Sequence, residues 1–97
     1  MIVQVHIRSQ HSVGSSAHQF GGPDTYVAVT VAPEGITVPY CLRRDVLARR
    51  GIQFIYIGEG YGGHSGPRSA LGRALAKAHD VAASYREEDE NAVVQAD

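Results

Sequence analysis

A single cysteine, Cys41, in 97 residues excludes an internal disulfide, so nothing here calls for an oxidising compartment. No apolar run approaches the roughly 20 residues that span a bilayer. The opening Met1-Ile2-Val3-Gln4-Val5 alternates with polar residues too early for a signal peptide. A soluble, cytoplasmic protein with no membrane partner is expected. An excess of positive charge is also lacking: the net charge is −1, which excludes the global basic field of a nonspecific nucleic-acid binder.

What is present suffices for one domain, because 43% hydrophobic content over this length supplies a single core. The charge is segregated. Residues 1–39 carry one cation against two acids. Residues 40–79 carry seven (Arg43, Arg44, Arg49, Arg50, Arg68, Arg73, Lys77) against two, a net of +5. Residues 80–97 carry Arg86 against six acids, a net of −5. A basic middle is followed by an acidic tail.

Alternation predicts strands at 2–8, 25–32 and 36–42, the last two joined as a hairpin by Pro33-Glu34-Gly35. Pro39 marks 36–42 as an edge. The first strand is expected to pair antiparallel with this hairpin. Its outward residues Gln4, His6 and Arg8, with Tyr26 and Thr30, make a semi-polar face open to solvent or to a second copy. Residues 9–24 are a long loop rich in Ser, Gly and His. Arg43–Arg50 predicts a two-turn helix ended by Gly51. Residues 52–57 are apolar on both faces, as in a covered central strand. Pro67 suits the first helical position with Ser65 or Gly66 as cap, and Leu71, Ala74, Leu75, Ala78, Val81, Ala82 and Tyr85 form one apolar stripe over 67–86. The fold class that follows is α+β: a small, mostly antiparallel sheet of three or four strands with one long helix on one face. Residues 1–86 form the domain, and 87–97 an acidic tail expected to fray.

Several enzyme signatures fail. Gly58, Gly60 and Gly63 satisfy G-x-G-x-x-G after a strand, but the helix opens too late and no later strand supplies the ribose-binding acid. No Lys follows the glycines as a phosphate-binding P-loop requires. Gly63-His64-Ser65-Gly66-Pro67 falls short of a nucleophile elbow. His6, His11, His18, His64 and His79 lack metal-ligand spacing, so no metal and no cofactor is expected. His79 reads as half-buried, and Cys41 as an inert core thiol.

What survives is an anion site. A strand feeds a glycine loop into a helix N-terminus, which offers backbone N–H groups to a phosphate or carboxylate. The candidate ligand-binding residues are Gly60, Tyr61, Gly63, His64, Ser65, Arg68 and Ser69, with Arg68 able to make a bidentate contact and Tyr61 able to stack on a base. A basic patch of Arg43, Arg44, Arg49 and Arg50, joined by Arg73 and Lys77, would extend it as a stripe. The bland alternatives are a glycine connector and a solvated charged face.

The run Gly58-Glu59-Gly60-Tyr61, followed by Gly66-Pro67-Arg68-Ser69-Ala70-Leu71-Gly72-Arg73-Ala74-Leu75, resembles segments of small phage-borne and prophage-borne proteins, over about the C-terminal half of the chain. That resemblance implies a non-enzymatic, anti-CRISPR-like inhibitor of a host defence system, acting in the host cytoplasm. It carries no catalytic motif and assigns no site residue. The expected partners are an anionic ligand (nucleotide or nucleic acid) or a host nucleoprotein complex, with a homodimer as a further arrangement. Two alternatives stand beside it: a small enzyme using His64 and Ser65, and a structural homo-oligomeric module.

Overall fold

The computed structural model describes residues 1–9, 24–89 and 92–96. Along the chain lie β1 (Ile2–Ser9), β2 (Thr25–Ala32), α1 (Arg44–Arg49), β3 (Gln53–Gly60), α2 (Ala70–Glu88) and β4 (Val93–Ala96). The strands form one sheet in the order β3-β2-β1-β4. β1 is antiparallel to β2 and parallel to β4, and β2 is antiparallel to β3. The α+β class is as expected: one long helix lies on a four-stranded sheet. No described helix is long and apolar enough to cross a membrane.

Strand alternation sends two sets of side chains to two faces. Val3, Val5, Val27 and Val29 meet α2 through its buried stripe of Leu71, Ala74, Ala78 and Ala82. The small side chains let the helix lie close. β3 contributes to the same end: a Cβ on Gly58 would lie 3.0 Å from that of Ala74, and one on Gly60 would lie 2.7 Å from the Leu71 backbone nitrogen. These two glycines are therefore helix-packing positions at the end of β3.

The second face is largely covered. Residues 33–52 fold across it, and Leu42, Leu47 and Ile52 pack on Tyr26, Ala28 and Ala32. His6, Arg8 and Thr30 are buried beneath. Burial requires their polar atoms to be bonded, and His6 Nε2 lies 2.7 Å from Thr30 Oγ1. Arg8 donates from Nε to the Tyr40 carbonyl at 3.0 Å and from Nη1 to the Ile7 carbonyl at 2.9 Å.

Several expectations are corrected. Residues 36–42 are not a strand: Pro39 has no N–H to donate, and Val38 and Leu42 serve to anchor an irregular cover instead. The strand expected to be central and covered, β3, is an edge strand paired along one side, with β2, among the described residues, and only Gly60 of it is buried. The long helix starts at Ala70. Ser69 is its cap, accepting from the Gly72 N–H at 3.0 Å. The tail expected to fray contains β4, whose four residues pair with the first half of β1. Cys41 and His79 are exposed. The loop expected at 9–24 lies, apart from its ends, outside the described residues.

α1 ends as expected. Ile52 donates to the Leu47 carbonyl at 2.9 Å and Gly51 to that of Ala48 at 3.1 Å, the paired bonds of a Schellman motif. This requires the left-handed conformation at Gly51, φ +73°. Gly51→Ala is expected to lower stability by about 1 kcal/mol, measured by chemical denaturation, because a Cβ is strained at that φ.

Candidate functional site

The glycine loop emerges from β3 already bonded within the protein. The Gly62 N–H donates to Asp24 Oδ1 at 2.6 Å, the His64 N–H to the Tyr61 carbonyl at 2.9 Å, and the Ser69 N–H to that of Gly66 at 2.9 Å. Ser69 caps the helix, and Arg73 Nη1 donates to the Arg68 carbonyl. A carboxylate thus sits where an incoming anion would approach Gly62. Tyr61, half exposed, meets His64 edge-to-face with ring centroids 6.5 Å apart. His64, Ser65 and Arg68 are exposed, and no hydrogen bond joins His64 to Ser65 among the described residues. Gly60 is buried against Leu71, and Gly63 is open.

The two basic clusters lie on opposite sides of the sheet. Arg73 and Lys77 are on α2, over one face, whereas Arg43, Arg44, Arg49 and Arg50 surround α1, over the other. They do not form one stripe.

The α1 side gathers a different constellation. Phe54 and Tyr56, two residues apart on β3, both point toward the α1 cover. The Tyr56 ring stacks on that of Tyr26 from β2, with centroids 6.0 Å apart and planes 19° from parallel. The Arg44 guanidinium lies 4.9 Å over the Phe54 ring, within cation–π range. These residues, with Leu42, Arg43 and Asp45, line an open cavity of about 370 Å³. Asp45 is itself held by Arg43 at 3.2 Å and by Arg49 at 3.9 Å.

A β-bulge shapes this site. Val27 pairs with Gly58 but Ala28 with Tyr56, leaving Ile57 as the extra residue. In a regular strand Tyr56 and Glu59, three apart, would face opposite sides. The bulge brings both to the α1 face, where the Tyr56 hydroxyl donates to Glu59 Oε2. Burial, reinforced by this bond and by the Glu59 charge, pushes the Tyr56 phenol well above its ordinary value of 10.0. Burial also raises that of Tyr26, against a partial offset from Arg8 and Arg44.

A raised phenol pKa means the folded state holds its proton more tightly than the unfolded state. That stability is complete below the ordinary phenol pKa of about 10 and is lost as pH rises above it. Alkaline unfolding is therefore expected to set in there, accompanied by phenolate absorbance. Tyr56→Phe is expected to flatten the decline, because it removes one of the two protons that the folded state retains.

Among the described residues, no group of three or more His, Cys, Asp or Glu is placed to hold a metal ion. His11 and His18 lie outside the described residues. Arg43 and Arg44 stand out in the sequence as basic, whereas the aromatics beside them do not belong to the basic patch expected there. The available signal was the alternation Phe54-Ile55-Tyr56-Ile57, which puts aromatics on one face and isoleucines on the other. Compared with known proteins, the chain matches no family model, and neither a curated protein nor a solved structure matches it.

Proposed function

We propose that the chain is a non-enzymatic binding module whose α1-side face takes a nucleotide unit. The base lies against Tyr56 and Phe54, and the phosphate meets Arg43 and Arg44. One observation carries this reading: a stacked tyrosine pair and an arginine-covered phenylalanine line the same open cavity. Aromatic faces accept bases of any sequence, and guanidinium groups pair with phosphate oxygens. In the phage-type role implied by the resemblance, this face would sequester a nucleotide or occupy a nucleotide-bearing surface of a host defence complex.

The glycine loop is the weaker candidate, because its N–H donors at Gly62, His64 and Ser69 are already bonded and Asp24 sits beside it. Calorimetric titration with a nucleoside monophosphate, the matching nucleoside and inorganic phosphate tests the reading. Base and phosphate recognised together should make the monophosphate the tightest of the three. Phosphate binding as well as the monophosphate, or no binding by any of them, would overturn it.

A further inference from the structure

We propose that the occupant of this face is a single strand of nucleic acid, not a free mononucleotide, and that Tyr40 is the platform for a second base. The proposal rests on the nucleotide reading above and extends it beyond the cavity.

Tyr40 is 71% exposed, the most exposed large hydrophobic residue among those described. It is nevertheless held in place. Arg8, only 7% exposed, reaches from β1 to the Tyr40 carbonyl, and its guanidinium carbon lies 4.1 Å from the Tyr40 ring centroid. A largely buried cation thus supports one face of the ring and leaves the rest to solvent. An exposed ring fixed in this way loses little conformational freedom when something stacks on it, which is how rigid aromatic platforms gain affinity. The core does not need the Tyr40 ring; Leu42 and Val38 anchor this segment.

The position of Tyr40 extends the site in one direction. Arg8 is in register with Tyr26, which stacks on Tyr56. Neighbouring strands lie about 4.8 Å apart, so Arg8 on β1 and the Tyr56 strand β3 are separated by about 10 Å across the sheet. Tyr40 is not among the residues lining the cavity, and a mononucleotide seated there would leave its ring bare. Adjacent nucleotides of an extended strand cover both. Three ring–arginine or ring–ring pairs then follow one another over this face: Arg8 with Tyr40, Tyr26 with Tyr56, and Arg44 with Phe54. Arg43, between Tyr40 and Arg44 in the chain, is exposed, and its surface pair with Asp45 uses only Nη2, which leaves further N–H donors for a phosphate. Alternating aromatic faces and cations are what single-strand grooves use.

The test is a length series of oligothymidylate and oligouridylate, from one to about six nucleotides, with affinity measured by competition against a labelled strand. Wild type, Tyr40→Ala and Tyr40→Phe are compared, with circular dichroism to confirm that each is folded. Affinity should rise about tenfold or more beyond the mononucleotide, as one additional stacked base supplies. Tyr40→Ala should lose that rise and keep mononucleotide affinity; Tyr40→Phe should retain both. Salt should weaken the longer strands more steeply, with a slope near −0.7 per phosphate contacted. Mononucleotide binding with no gain on lengthening, or a gain that survives Tyr40→Ala, would overturn the strand proposal and leave the nucleotide reading standing. Absence of binding by every length would overturn both.

Discussion

Leu47→Ala is expected to cost 2–5 kcal/mol, the range for emptying a fully buried leucine site. Leu47 is the buried residue of α1 and has no exposed surface. It packs in the cluster formed with Leu42, Ile52, Tyr26, Ala28 and Ala32. A six-residue helix has no stability of its own, so this packing is what keeps the 33–52 cover on the sheet. With total stability on the order of 0.1 kcal/mol per residue, such a loss is a large share of the whole. Thermal melting should fall by roughly 10–30 °C for a domain of this size. Val46→Ala, half-buried one position earlier, should cost about 1 kcal/mol or less. Equal losses at the two positions would mean that α1 is not anchored through Leu47.

Tyr56→Ala is expected to lower affinity for a nucleoside monophosphate by about tenfold to a hundredfold, the range for removing one stacked aromatic. Its stability cost should be smaller than that of Leu47→Ala, because Tyr56 is 43% exposed and outside the buried cluster. Arg44→Ala should weaken the same ligand about tenfold, since a charge-assisted contact is worth roughly 1.5–3 kcal/mol and this one is solvent-accessible. The contrast lies in the glycine loop. A Tyr61→Ala/Arg68→Ala double variant should bind as wild type does, because those side chains are exposed on a loop whose donors at Gly62, His64 and Ser69 are bonded internally. Calorimetry on the three variants separates the two sites. Loss of binding in the loop variant and retention in Tyr56→Ala would reverse the assignment.

The sequence made β1 and β2 legible because each alternates cleanly and buries one valine set against the helix. The α2 stripe was legible for the same reason, and Gly51 identified the end of α1. The segment 36–42 alternates as well, but alternation reports only that every second residue contacts something. There only Val38 and Leu42 meet the sheet face beneath, while Ile36 and Tyr40 are exposed, and Pro39 removes the donor a ladder would need. β4 escaped because four residues beside an acidic run carry little periodic signal, and its partner β1 is at the other end of the chain.

The candidate site was half legible. Arg43 and Arg44 stand out in the sequence as a basic pair, yet which face they share depends on how the 33–52 connection crosses the sheet. The glycines are ambiguous for a physical reason. Gly58 and Gly60 match the pattern of a ligand-approach loop, but the backbone that comes close is that of α2. A Cβ at Gly72 would likewise collide with the Gly66 carbonyl. Close approach is a property that helix packing and ligand binding share, and composition does not distinguish them. The β-bulge that brings Tyr56 and Glu59 to one face has no sequence signature here.

The most direct measurement is a backbone amide NMR titration of the full chain with a nucleoside monophosphate, followed by the same titration with inorganic phosphate. Binding at the α1 face should shift Tyr26, Arg43, Arg44, Phe54 and Tyr56 with the nucleotide, more strongly than phosphate alone shifts them, and leave Tyr61–Ser69 in place. Shifts confined to Tyr61–Ser69, or none in either titration, would contradict the account.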